Sequence, residues 1–228
     1  VTKPAYLDLD MEVCASGASS QMGCNECVEA CPHGAVARPS IDSVAFDTIA
    51  CQDCGACTSS CPTGAVQLRE PSNERIAREV EALLDSDSGG GWLRRGRTGI
   101  ETEIVAFVCS ERAKRTLTEY GRRARQSEAT YPPMLPVNVN CADTVGESHV
   151  MHALAAGADG VALVGCGDAC LHSGPDPKAE LADRLNTATT DLGLDERVAF
   201  FAPDADDFDS FADAVTEFTS NLDPSPVP

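Results

Sequence analysis

Four cysteines, Cys51, Cys54, Cys57 and Cys61, stand two, two and three residues apart, with Pro62 directly after the last. Three closely spaced thiolates on one tight loop can face one side of an iron–sulfur cube. This is the bacterial-type spacing for a [4Fe–4S] cluster, in which the fourth cysteine ligates the other cluster of a pair. Asp53, Gly55 and Ala56 lie between the thiols and are small or turn-forming, as a loop wrapped on a cluster requires. Zinc also uses CxxC pairs, but a zinc site takes two such pairs. Here a third thiol is in register and a proline closes the run. A disulfide scaffold suits small secreted chains, and Val1 to Glu12 carries no apolar stretch of a secretory signal.

The motif occurs twice. A shift of 30 residues lays Cys24, Cys27, Cys31, Pro32, Gly34, Ala35 and Val36 over Cys54, Cys57, Cys61, Pro62, Gly64, Ala65 and Val66. Cys14 leads the first copy, separated from Cys24 by the small, polar stretch ASGASSQMG, an insertion that costs little loop entropy. His33, after Cys31 and Pro32, corresponds to Thr63 and is read as a solvent-facing turn residue rather than a ligand. Over Glu12 to Leu68 the chain resembles the two-cluster bacterial-type ferredoxins, which implies an α+β ferredoxin-like domain. The resemblance further implies one [4Fe–4S] cluster on Cys14, Cys24, Cys27 and Cys61, and a second on Cys51, Cys54, Cys57 and Cys31.

The elements that follow are legible from periodicity. Pro71 and Ser72 open a helix with Ile76, Val80, Leu83 and Leu84 on one face, and DSDSGGG after it reads as a linker with Trp92 beyond. Strand signals at Ile104 to Val108, Leu135 to Val139, Val161 to Val164 and Val198 to Phe201 then alternate with helical stretches. Those run at about Glu111–Arg125, Ser148–Ala156, Pro177–Leu192 and Asp207–Asn221. Apolar strands separated by helices predict right-handed crossovers and a parallel sheet covered on both faces, an α/β fold of the flavodoxin or Rossmann kind. The expected division is a ferredoxin domain at 1–85, a linker at 86–99, an α/β domain at 100–222 and a frayed tail at 223–228.

The other four cysteines fall where such a fold places its ligands, outside the carboxyl ends of the strands. Cys109 ends the first strand, Cys141 the second and Cys166 the third, with Cys170 four residues on. Cysteine is also a good small core residue, but every spare thiol lies at a strand end. In IVAFVCS, LPVNVNCAD and HALAAGADGVALVGCGDACLH the chain resembles the delta subunit of methyl-viologen-reducing hydrogenase, a domain also fused to heterodisulfide reductase A-like proteins. The resemblance implies a [2Fe–2S] cluster on Cys109, Cys141, Cys166 and Cys170. It departs from that pattern after Cys109, where Ser110, Glu111 and Arg112 carry no second thiol, and at Gly167, where a histidine is usual; His172 persists near Cys170. Gly165, Gly167 and Cys170 also fall one glycine short of a dinucleotide fingerprint, and Asp204 lies too far on to serve it. CSERAKRT lacks the glycines of a phosphate loop.

The chain has 228 residues and a formal charge of −19, with a pI near 4.4 and lysine only at Lys3, Lys114 and Lys178. So acidic a surface argues against nucleic acid as a partner and suggests a salt-loving cytoplasm. Within it, Arg94 to Arg125 holds nine basic residues against four glutamates. That stretch reads either as a solvated helix face or as a docking patch, at Arg112–Arg125, for an acidic redox partner. No nucleophile triad, HExxH or P-loop is present in the sequence. The expectation is a non-catalytic cytoplasmic electron-transfer subunit, without a membrane span. It would relay electrons between a flavin-containing heterodisulfide reductase A-like protein and a hydrogenase or dehydrogenase. The other reading is a redox-sensing or docking protein whose second domain holds no cluster.

Overall fold

The computed structural model describes residues 3–19, 23–84, 102–125, 133–166, 170 and 178–226. The expected linker, Trp92, Gly167 and His172 lie outside them.

Two small antiparallel pairs frame the first part. Strand β1 (Leu7–Leu9) pairs with β4 (Val66–Leu68), and β2 (Val36–Ser40) forms a hairpin with β3 (Ser43–Phe46). Between them run short helical turns: α1 (Ala15–Ser19), α2 (Glu26–Glu29) and α3 (Ala56–Ser59), of which α2 carries Cys27 and α3 carries Cys57. Gly34 and Gly64, equivalent in the repeat, both turn the chain through a left-handed conformation, with φ of +60° and +68°. A residue with a Cβ is strained there, which is why both copies end in C-P-x-G. The core of this part is small. Cys27 and Cys57 supply half of its buried apolar centre, with Val36 and Val66.

After α4 (Asn73–Leu84), the second part is a four-stranded parallel sheet in the order β6-β5-β7-β8. Its strands are β5 (Ile104–Cys109), β6 (Leu135–Val139), β7 (Gly160–Val164) and β8 (Val198–Phe201). Helices α5 (Arg112–Ala124), α6 (Glu147–Ala155), α7 (Lys178–Asp191) and α8 (Phe208–Ser220) connect and cover them, with a 3₁₀ turn, η1 (Ala142–Thr144), after β6. The expected elements are present, with bounds moved by a residue or two. Every residue of β5 and β7 is buried, as strands with both faces covered must be. Alternation along the strands sorts the core into two layers. Val105, Phe107, Val137, Val161 and Leu163 pack on one side, while Ile104, Ala106, Ala162 and Val164 pack against Tyr120, Phe208 and Phe211 on the other. The Tyr120 hydroxyl donates to the backbone carbonyls of Asp204 and Asp207, tying α5 to the start of α8.

Two features differ from expectation. Helix α4 follows the ferredoxin motifs in sequence, yet Ile76 and Val80 are buried in the same core layer as Val105 and Val161. The described part of the tail is not frayed. Ser225 N donates to Asp159 Oδ1 at 2.6 Å and Asp223 O accepts from Arg197 Nη1 at 2.9 Å, so a buried arginine and aspartate hold it. Among the described residues no helix is long and apolar enough to cross a membrane.

Candidate metal centres

None of the twelve cysteines is in a disulfide. Helices α2 and α3 are too short to be stable alone; each is one turn between the cysteine loop and the proline, and it exists to aim a thiol inward. Cys31, Cys51, Cys54 and Cys57 line one cavity, closed by Leu7, Ala35, Val36 and Leu68. These are the four residues expected for the second cluster, the cross-over thiol Cys31 included. Burial pushes the Cys57 thiol up to about 12, and the neighbouring Cys54, Cys31 and Cys51 thiols push the same way. Burial likewise raises Cys54 to about 12, against a backbone N–H from Ala56, with Asp143, Cys141 and Cys31 adding to the rise. Four thiols facing one apolar-walled cavity, with Cys54 and Cys57 among them hard to ionise, fit a [4Fe–4S] cluster, whose iron compensates the thiolate charge.

The other set is gathered around Cys27. Burial raises its thiol; Arg38 opposes the rise, and Cys61, Cys24 and Cys14 reinforce it. Those three are its expected co-ligands. At Cys14 burial raises the thiol, but the backbone N–H groups of Gly17 and Ser16 and the Arg38 guanidinium outweigh it, so the net shift is downward. At Cys61 burial is again outweighed, by N–H donors from Val66, Thr63 and Ala65 and by the Thr63 hydroxyl, 3.8 Å from the sulfur. Sulfurs that already receive several N–H bonds are prepared to carry negative charge. Among the described residues no three His, Cys, Asp or Glu side chains sit close enough to hold a single metal ion. A cluster of several irons holds its thiolates farther apart than one ion does.

In the second part, Cys109 Sγ lies 3.5 Å from Cys166 Sγ and donates toward Asn140 O at 3.8 Å. A hydrogen bond with the Cys109 thiol is the first cause, and burial the second, of a strongly raised Cys141 thiol. Three thiols are therefore brought together at the carboxyl ends of β5, β6 and β7. Cys109 and Cys166 flank the place where strand order reverses, the position where open α/β sheets bind ligands. Cys170 is half-buried.

The two thiol groups meet at a junction that sequence reasoning missed. Thr144 Oγ1 donates to Cys54 O at 3.2 Å, and Asn140 Nδ2 donates both to Asp53 Oδ2 and to Glu70 O at 2.8 Å. Gly55, with φ +76°, presses against Thr144 so closely that an added Cβ would stand 2.8 Å from its Cα. Nothing in the motif points to Asn140 or Thr144; only their place just before and after Cys141 does. His33 also departs in part from expectation. It stands in a turn as expected but is only half-exposed: it lines the cavity with the four thiols, and its Nε2 is buried without a hydrogen-bond partner.

A thiol-lined repeat domain packed on a parallel α/β sheet defines an iron–sulfur protein of the electron-transfer class. Residues 22–67 match the 4Fe-4S dicluster domain, and residues 104–224 match the family described as methyl-viologen-reducing hydrogenase, delta subunit. The chain belongs to that delta-subunit family. It is also 30 % identical over 207 residues to the A component of the ferredoxin:CoB-CoM heterodisulfide reductase of Methanosarcina mazei, a match covering 89 % of this chain and 24 % of that protein. The chain thus spans about a quarter of its relative's length.

Proposed function

We propose that the chain is an electron-transfer subunit without substrate turnover of its own. It carries two [4Fe–4S] clusters on the cysteine sets Cys14, Cys24, Cys27, Cys61 and Cys31, Cys51, Cys54, Cys57. A [2Fe–2S] cluster sits on Cys109, Cys141, Cys166 and Cys170. The clusters supply one-electron transfer. This chain's own residues hold the thiolates, bury them and fix their separations. The observation that carries the reading is the junction: the Cys54 loop is hydrogen-bonded to the segment holding Cys141, so the second cubane site abuts the α/β thiol site. Electrons then have a short route from one domain to the other.

The division into 1–85, 86–99, 100–222 and 223–228, in which α4 at the end of the first segment packs onto the core of the third, belongs to the same proposal, with a cytoplasmic location and a halophilic source. So do the partners: a flavin-containing heterodisulfide reductase A-like protein on one side and a hydrogenase or dehydrogenase on the other, one of them docking on the basic patch at Arg112–Arg125. Anaerobic iron and sulfide analysis with EPR tests the cluster count. About ten irons and two cluster types are expected, and Cys166→Ser should remove the [2Fe–2S] signal alone. About eight irons with cubane signals only would favour the second reading, a redox-sensing protein. The 3.5 Å gap between Cys109 and Cys166 sulfurs supports that alternative, since a disulfide there needs little movement.

A further inference from the structure

The two cubane sites are copies of one motif, but their surroundings are not. Arg38, on β2, points Nη2 at Cys14 Sγ, 4.0 Å away, and donates from Nη1 to Ile41 O at 3.1 Å, which fixes the guanidinium plane. Its Nε is buried without a hydrogen-bond partner, and among the described residues no carboxylate pairs with it. Its repeat counterpart is Leu68, which lines the other cavity with apolar surface. Beside that second site lies Asp143 instead, 3 % exposed, with Oδ1 unpartnered. One site therefore has a cation against a ligand sulfur, and the other an apolar wall and a buried carboxyl group.

A reduced cluster carries one more negative charge than an oxidised one. A cation or an N–H donor at sulfur stabilises the reduced form and raises the potential, while burial and acidic neighbours lower it. We propose that Arg38 is a tuning residue that holds the cluster on Cys14, Cys24, Cys27 and Cys61 at a higher reduction potential than its partner. With clusters bound, Arg38 would favour the electron at the Cys14 site, and the Cys54 side at the junction would be the more reducing end facing the α/β domain. This rests on the two-cubane reading, which the iron count in the unaltered protein checks separately.

The test is an EPR-monitored potentiometric titration of the anaerobic full chain, with dithionite supplying one electron per cluster. Unaltered protein should show two resolved [4Fe–4S] steps. Arg38→Gln should move the upper step to more negative potential by about a decade in the reduced-to-oxidised ratio, ~59 mV for a one-electron couple, with the lower step and the iron content unchanged. Arg38→Lys, which keeps the charge, should retain at least half of the offset. The proposal is overturned if Arg38→Gln leaves both steps in place, shifts the lower one, or loses iron. It is overturned equally if Arg38→Lys behaves as Arg38→Gln does.

Discussion

Substituting Gly55 by alanine tests whether the two thiol sites are held by direct backbone contact. Two costs add. At φ +76° an alanine pays for the left-handed conformation, about 1–2 kcal/mol. Its Cβ would then meet Thr144 at 2.5 Å from Oγ1, 2.8 Å from Cα and 3.0 Å from Cβ. Two of those atoms cannot rotate away, so η1 must shift, an overpacking cost of about 1–3 kcal/mol. Gly64→Ala is the control, because that glycine has φ +68° but nothing within 4 Å of the added Cβ. It should cost the conformational term alone. The assay is thermal unfolding of the iron-loaded protein under anaerobic conditions at one scan rate. Each kcal/mol lowers Tm by about 2–4 °C for a chain of this size. Gly55→Ala should therefore melt several degrees below Gly64→Ala, and Thr144→Ala should not rescue it, since the clash with the backbone at position 144 remains. Equal melting temperatures for the two glycine variants would refute the close-approach argument.

Acid should weaken the α/β domain through one histidine. His149 is 8 % exposed; its Nδ1 accepts from Gly146 N at 3.2 Å and its Nε2 faces Asn73 Oδ1 at 3.2 Å, so only the neutral ring satisfies both. Burial, with Lys178 and His152 nearby, lowers its pKa from 6.5 to about 4. The unfolded chain then binds the extra proton first. Stability is full above pH 6.5 and falls by about 3 kcal/mol as pH drops toward 4, a slope that denaturant titrations should lose in His149→Gln. Stripping the iron should unfold the small first core, where Cys27 and Cys57 stand among the buried groups, and leave the parallel sheet protected in hydrogen exchange. Charge reversal at Arg122 and Arg123, both exposed on α5, should slow association with an acidic redox partner, most at low salt. Unchanged rates at low salt would remove that face as the docking site.

Much of this molecule is written locally. The spacing of Cys51, Cys54, Cys57 and Cys61 and its repeat 30 residues earlier specify a cluster loop, because the ligand geometry is set within about a dozen residues. The strands of the sheet were equally legible: β5 and β7, buried on both faces, are continuous apolar runs, and the edge strands β6 and β8 keep apolar residues at their buried positions. The antiparallel pairs β1 with β4 and β2 with β3 were not, being three to five residues long with mixed burial. His33 sits in the turn that its counterpart Thr63 suggested, but only the folded loop makes it part of the wall of the thiol cavity.

Sequence alone determined which residues are candidate ligands, how they divide between two motifs, and that the later thiols sit at strand ends. Those are consequences of short spacings and of the period of two along a strand. Tertiary structure decided the rest: that Cys54 lies against the segment bearing Cys141, that α4 joins the second core, and that Arg38 reaches Cys14. Thr144 and Cys54 are separated by 90 positions along the chain, and Arg38 and Cys14 by 24. No local preference encodes such pairs. They are selected by complementary surfaces that exist only once both halves have folded, where burial is gained by one mutual arrangement and lost in the others.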